Sequence, residues 1–216
     1  MRTSIRKSGW LVLLVMVGML DSCFVPQIYD STDHHLISLS ADDLAKQGIA
    51  FLTPSTITGQ EEEKQALALI FADVLKKERP AIRCVGLPET LNALNRAGLA
   101  DDYKHMTDEY RNTGIFGHGI LQKVGEATKT GYVAQLKLMN FVQGSSERFG
   151  FLGLRMIETK YSHLRLFFQI WDVRSGSIAW EGVHEMHYAV DTISEDTVTL
   201  KTTIHKAAQD IIKYLP

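Results

Sequence analysis

Cysteine is nearly absent from this chain. Only Cys23 and Cys84 occur among 216 residues, and Cys23 closes an N-terminal leader. The one thiol that remains cannot form an intramolecular disulfide. Cys84 lies in an apolar, strand-like run, where a thiol is expected to be buried and inert. An excess of positive charge is missing too. Lys and Arg total 23 against 25 Asp and Glu, a formal charge of −2. That balance argues against nucleic acid as a partner, because phosphate binding needs a clustered basic surface. The apolar run Trp10–Leu20 falls far short of the roughly 20 residues a membrane-spanning helix requires. Internal repeats and low-complexity segments are missing as well.

Catalytic patterns are equally scarce. No G-x-S-x-G nucleophile elbow occurs. His184-Glu185-Met186-His187 lacks the spacing of a helical zinc-protease motif. On a strand, residues three apart point to opposite faces, so these histidines are expected to part. Asp172 with His163 or His184 could form an acid–base pair across a hairpin, but no nucleophile accompanies them. Asp30, Asp33, His34 and His35 contain metal-binding side chains. Adjacent histidines in a polar tract read better as a solvated linker. Neither an enzyme activity, a cofactor nor a metal is expected.

What is present begins with an address. Arg2, Arg6 and Lys7 precede Trp10–Leu20, which runs into Leu20-Asp21-Ser22-Cys23. A basic start, a short apolar core and a small residue before the cut describe a processing signal. The last four residues resemble the lipobox of bacterial lipoproteins, with Asp21 as the one departure from its small or apolar middle. The resemblance implies cleavage after Ser22 and acylation of Cys23, palmitate included. Phe24 then favours the outer membrane, with the domain facing the periplasm. The mature chain would carry a formal charge of −4. Residues 23–45 read as a tether, and 46–216 as a single domain.

Within that domain, Ile49–Leu52 and Ile82–Val85 read as strands. Gln60–Lys77 has apolar Leu67, Ile70, Phe71, Val74 and Leu75 at helical spacing. Thr58 and Glu61 suggest a capping box, and Glu61, Glu62 and Glu63 suit the positive end of a helix. Pro88 starts a second helix with Leu91 and Leu94 inward. Asp101–Asn112 is a polar helix with Tyr103, Met106 and Tyr110 on one side. Gly117 and Gly119 lead into another around Leu121 and Val124. Tyr132–Val142 is a strand, and Gly144–Met156 a glycine-punctuated loop. Ser194 can cap a last helix with Ile204, Ala207, Ala208, Ile211 and Leu215 as its stripe.

Tyr161–Ala189 is the centre. Leu164, Leu166, Phe168 and Ile170 alternate with Arg165, Phe167, Gln169 and Trp171. After the polar break Asp172–Ser177, Ile178, Trp180, His184, Met186 and Tyr188 take one face. Such runs around a break containing Gly176 predict a late antiparallel β-hairpin. The expected fold is α/β (α+β), a mixed sheet with helices packed on it, in the order β-α-β-α-α-α-β-β-β-α.

The hairpin core L-R-L-F-F-Q-I-W-D-V-R-S-G-S-I-A-W-E-G, with Trp171, Asp172, Gly176 and Trp180, resembles a group of envelope lipoproteins. That group includes the curli-secretion channel lipoprotein and the outer-membrane activator of a penicillin-binding protein. Their shared domain resembles the N-terminal domain of the Tol-system propeller protein. The resemblance implies a non-enzymatic subunit that regulates or helps assemble another envelope protein, with self-association left open. A secretion-channel subunit would need two membrane-inserting hairpins, and only Gln143–Lys160 approaches one. A binder of a small ligand or peptidoglycan fragment is the alternative. Arg148, Phe149, Phe151, Leu152 and Arg155 combine aromatics with arginine, the composition of an interface anchor. They form the candidate partner-binding loop, unless that loop packs on its own sheet.

Overall fold

Period-two alternation dominates the second half of the chain, and a sheet organises the molecule. The computed structural model describes residues 27–56, 60–151, 154–192 and 199–216, with side chains of 147–151, 154–158 and 191–192 outside the description. The described chain runs β1 (Gln27–Leu36), α1 (Asp43–Gln47), β2 (Ile49–Phe51), β3 (Ser55–Thr56), α2 (Glu61–Glu78) and β4 (Cys84–Val85). It continues through α3 (Leu87–Arg96), α4 (Ala100–Thr113), α5 (His118–Thr128), β5 (Tyr132–Phe151), β6 (Leu154–Asp172), β7 (Ser177–Thr192) and α6 (Leu200–Ile212).

The strands form one open mixed sheet in the order β1-β7-β6-β5-β2-β4, with β3 also beside β5. β2, β3 and β4 pair in parallel, as short β-α-β crossovers require. The β5-β6-β7 meander and β1 pair antiparallel. The expected mixed α/β class is the one observed.

Helices cover both faces. On one, α2 and α6 pack Leu67, Phe71, Leu75, Ile204, Ala208 and Ile211 against Leu164, Leu166, Phe168, Ile170 and Trp180. These are the stripes that helical and strand periodicity assigned inward. On the other, α3, α4 and α5 bring Leu94, Met106, Tyr110, Leu121 and Val124 against Val133 and Trp171. Tyr110 and Phe116 stack at 4.2 Å, and both meet Trp171 edge-on. Trp171 and Trp180 are thus core residues on opposite faces of the sheet.

The turn behaves as its residues demand. Gly176 takes φ 68°, and its amide donates to the Asp172 carbonyl at 2.9 Å. Asp172 Oδ1 accepts the Arg174 amide at 2.8 Å. Partial burial alone would raise the Asp172 pKa, but hydrogen bonds from Arg174 outweigh it and hold the carboxyl below its ordinary value. Just past the turn lies a bulge: Ile170 faces Trp180 while Trp171 faces Ile178. Ala179 is the extra residue, and its carbonyl accepts the amides of Ile37, Ser38 and Leu39. The bulge moves Ile178 to the Trp171 side, away from the Trp180 face where simple alternation placed it.

Several expectations are corrected. The tether read over 23–45 is folded where it is described: Gln27–Leu36 pairs along its whole length with β7, and α1 follows. Its side chains are almost all exposed, so the strand is held by backbone hydrogen bonds and needs no apolar alternation. Gly144–Met156 is strand and not loop over its described residues, 144–151 and 154–156. Its described residues extend β5 and β6 into one long hairpin, paired from Tyr132↔Asp172 to Phe151↔Leu154. Leu91 is exposed, and α3 buries Leu87, Thr90 and Leu94 instead. The side chain of Thr199 caps α6 by accepting the Thr202 amide at 3.2 Å. Ser194, expected in that role, lies outside the described residues, as does Thr58 of the expected capping box.

Candidate functional site

The helices on the Trp171 side cover only part of the sheet. Tyr110 Oη donates to Gln169 Oε1 at 3.0 Å, and Gln169 Nε2 donates to Glu181 Oε2 at 3.2 Å. Two pairing steps beyond that row, the same face carries exposed Arg165, and beyond it exposed Tyr161 and His187. The pairing sets Tyr29 of β1 beside His187 of β7, His187 beside His163 of β6, and His163 beside Val142 of β5. Tyr29 is 79% exposed and Val142 48%. The Tyr161 ring crosses Gly144, where any side chain would meet its hydroxyl. Between them runs an open groove of about 690 Å³ lined by Tyr29, Tyr161, His163 and His187.

The polar centre of this face is His163, Glu185 and His187. The two imidazoles stack with centroids 4.1 Å apart and planes at 7°. Glu185 Oε1 lies 3.0 Å from His163 Nε2 and 4.0 Å from His187 Nε2. Asn140 Nδ2 lies 3.4 Å from His163 Nδ1. A carboxylate accepting from one imidazole beside a second suits recognition of polar groups on a partner surface. Ser162, next to His163 in the chain, is buried on the opposite face, with its hydroxyl 2.9 Å from that of Thr203.

Of the residues the sequence singled out, Trp171, Asp172, Gly176 and Trp180 come together as the hairpin turn and its flanking core. His184 and His187 point to opposite faces, as a strand requires, with His184 fully buried. Asp172 sits at the turn on Arg174 and meets neither His163 nor His184. In the candidate partner loop, β5 carries Arg148, Phe149 and Phe151 and β6 carries Arg155. Phe149 pairs with Ile157, and Gly150 with Arg155, around register shifts. Their side chains, and Leu152 altogether, lie outside the description, as do Ser22 and Cys23. Tyr29 and Tyr161 were missed, because Tyr29 fell in the supposed tether and Tyr161 looked like one more strand position.

Cys84, expected to be buried, is half-buried on β4. Burial pushes its thiol up to about 11. At pH 8 such a thiol is about two hundred times less ionised than a free one of pKa near 8.5. Iodoacetamide should therefore label Cys84 about two hundred times more slowly in the folded chain than in urea. Comparable rates would show that β4 opens readily.

No family model matches the chain, and no curated protein matches it. Solved structures do show a likeness. The PelC dodecamer from Paraburkholderia phytofirmans is 10% identical, with 88% of this chain and 97% of that chain covered at a TM-score of 0.45. Lipoprotein GNA1162 from Neisseria meningitidis is 11% identical, covering 77% and 98% at a TM-score of 0.37. The LpoB C-terminal domain from Salmonella enterica is 11% identical, covering 64% and 81% at a TM-score of 0.35. These neighbours single out no individual relative.

Proposed function

We propose that this chain is an outer-membrane-anchored lipoprotein that faces the periplasm and binds another envelope protein. It acts as a regulatory or assembly subunit and catalyses no reaction. The lipobox at Leu20–Cys23 supports the anchor. The open face of the β1-β7-β6-β5 arm carries the binding role, with Tyr29 at 79% exposure beside the stacked histidines. Exposed aromatics around a polar centre are the usual material of interface anchors.

A photo-crosslinking residue placed at position 29, in cells, tests this reading against one placed at exposed Leu91 on the helical side. One dominant envelope protein should crosslink from position 29 and not from 91. Tyr29→Ala should weaken its capture by roughly tenfold, equivalent to about 1.4 kcal/mol. Its thermal midpoint should stay unchanged, because so exposed a ring contributes little to the core. A monomer that crosslinks to nothing from position 29 would overturn the proposal and favour a small ligand in the groove.

A further inference from the structure

His184 has an unusual environment. It is fully buried on β7, facing α6. Its Nδ1 lies 2.8 Å from Thr32 Oγ1. Its Nε2 is buried with no hydrogen-bond partner. An orphaned buried polar atom costs about 1–3 kcal/mol and is rare in folded proteins. Two carboxylates nevertheless stand close by. Oxygen atoms of Asp30 and Asp210, together with the His184 donor atom, all lie within 4.8 Å of one another.

We propose that Asp30, His184 and Asp210 bind one divalent transition-metal ion of the zinc class, which fastens β1 to α6. The site is assembled from three elements. Alternation on β1 puts Asp30 and Thr32 on the α6 side of the sheet, opposite Tyr29. Pairing brings Thr32 beside His184. On α6, Thr203, Ala207 and Asp210 follow at helical spacing, and the first two are buried. The three donors lie within 4.8 Å of one another, and Nε2 makes no direct hydrogen bond to either carboxylate. Donors on a tetrahedral zinc at about 2.0–2.1 Å stand about 3.4 Å from one another. Neither carboxylate is within hydrogen-bond reach of Nε2, and a small closing-in of the three side chains would bring their donors onto one cation.

The surroundings agree. Thr32 can accept from Nδ1–H, which fixes the tautomer and leaves Nε2 with a lone pair free for a metal. One nitrogen and two oxygens suit zinc with water completing the shell. Lys213 Nζ sits 2.6 Å from Asp210 Oδ1 but is 70% exposed, so it can stay on that oxygen while the other turns to the metal, or swing away. The His163–Glu185–His187 group makes a weaker case. There Glu185 already satisfies His163 at 3.0 Å, and no buried atom is left unpaired.

The site would matter for β1, whose side chains are mostly in solvent and which leads in from the N-terminal anchor. The test uses the purified full-length chain in detergent, stripped of metal and titrated with zinc chloride. After gel filtration, wild type and Glu185→Gln should each retain one equivalent of zinc. Asp30→Asn and Asp210→Asn should each bind it roughly tenfold or more weakly. Both replacements are at exposed or half-exposed positions and keep the fold, unlike His184→Ala, which would leave a core void. Zinc should also slow amide exchange across Gln27–Leu36 in wild type and leave Asp210→Asn unaffected. The proposal is overturned if wild type retains no zinc. It is equally overturned if both aspartate variants keep wild-type affinity while Glu185→Gln loses it.

Discussion

Trp180→Ala should lower the unfolding free energy by about 3–5 kcal/mol, the range for emptying a buried aromatic site. Trp180 has no exposed surface and is among the largest fully buried side chains of the core. Its ring meets Phe168 at 5.6 Å and stacks with His34 at 6.3 Å. It also fills the space above Gly182, where a Cβ would come within 2.6 Å of its Cη2. Strands β6 and β7 run through this point, so the cavity cannot collapse without moving the sheet. One feature tempers the loss. Trp180 Nε1 is buried without a partner, and removing it relieves that cost, which puts the expected value near 3 kcal/mol. Trp180→Phe keeps most of the apolar surface and deletes the unpaired N–H, so it should cost less than half as much as Trp180→Ala. Urea titration followed by circular dichroism measures both. With domains commonly stable by 5–15 kcal/mol, the alanine variant would stand close to unfolding. A loss under 1 kcal/mol would mean that Trp180 does not fill this core.

Cys23→Ser should convert complete membrane attachment into none. A single fourteen-carbon chain binds membranes only marginally, whereas several chains at about 0.8 kcal/mol per buried CH₂ anchor irreversibly. Metabolic labelling with an alkyne palmitate analogue should mark the wild-type chain and leave Cys23→Ser unlabelled. In Triton X-114 the labelled protein should move to the detergent phase, and the variant should remain in the aqueous phase. The mature wild-type N-terminus should begin at Cys23. A different mature N-terminus without lipid would sink the anchor and leave an ordinary secretory signal. Asp21→Ala restores an apolar middle to the lipobox and should speed processing.

Much of the fold was legible because its determinants are local. Leu164, Leu166, Phe168 and Ile170 read as one strand face, since period-two spacing forces them together. Gly176 marked the turn because its positive φ suits a residue without Cβ. The stripes of α2 and α6 showed the same logic at a period of 3.6. The bulge at Ala179 escaped notice: a single extra residue leaves the composition unchanged and alters only which side Ile178 takes. The hairpin arms over 144–151 and 154–156 escaped as well. Gly144, Gly150 and Gly153 read as loop signals, although pairing between two strands requires backbone hydrogen bonds and little from the side chains.

By itself the sequence determined the expected address of the chain, the α/β layers, the centre of the sheet and the scarcity of catalytic groups. Each of these depends on composition or on spacing between near neighbours. Only the tertiary structure decided that Gln27–Leu36 is an edge strand, because its side chains stay in water and its pairing is made by the main chain. It also decided that Tyr29 joins His163 and His187 on one open face. Most of all, it brought Asp30, His184 and Asp210 within 4.8 Å. Thr32 and His184, which align the first two, are 152 residues apart in the chain. Strand register and helix packing close that distance, and neither leaves a local mark in the sequence.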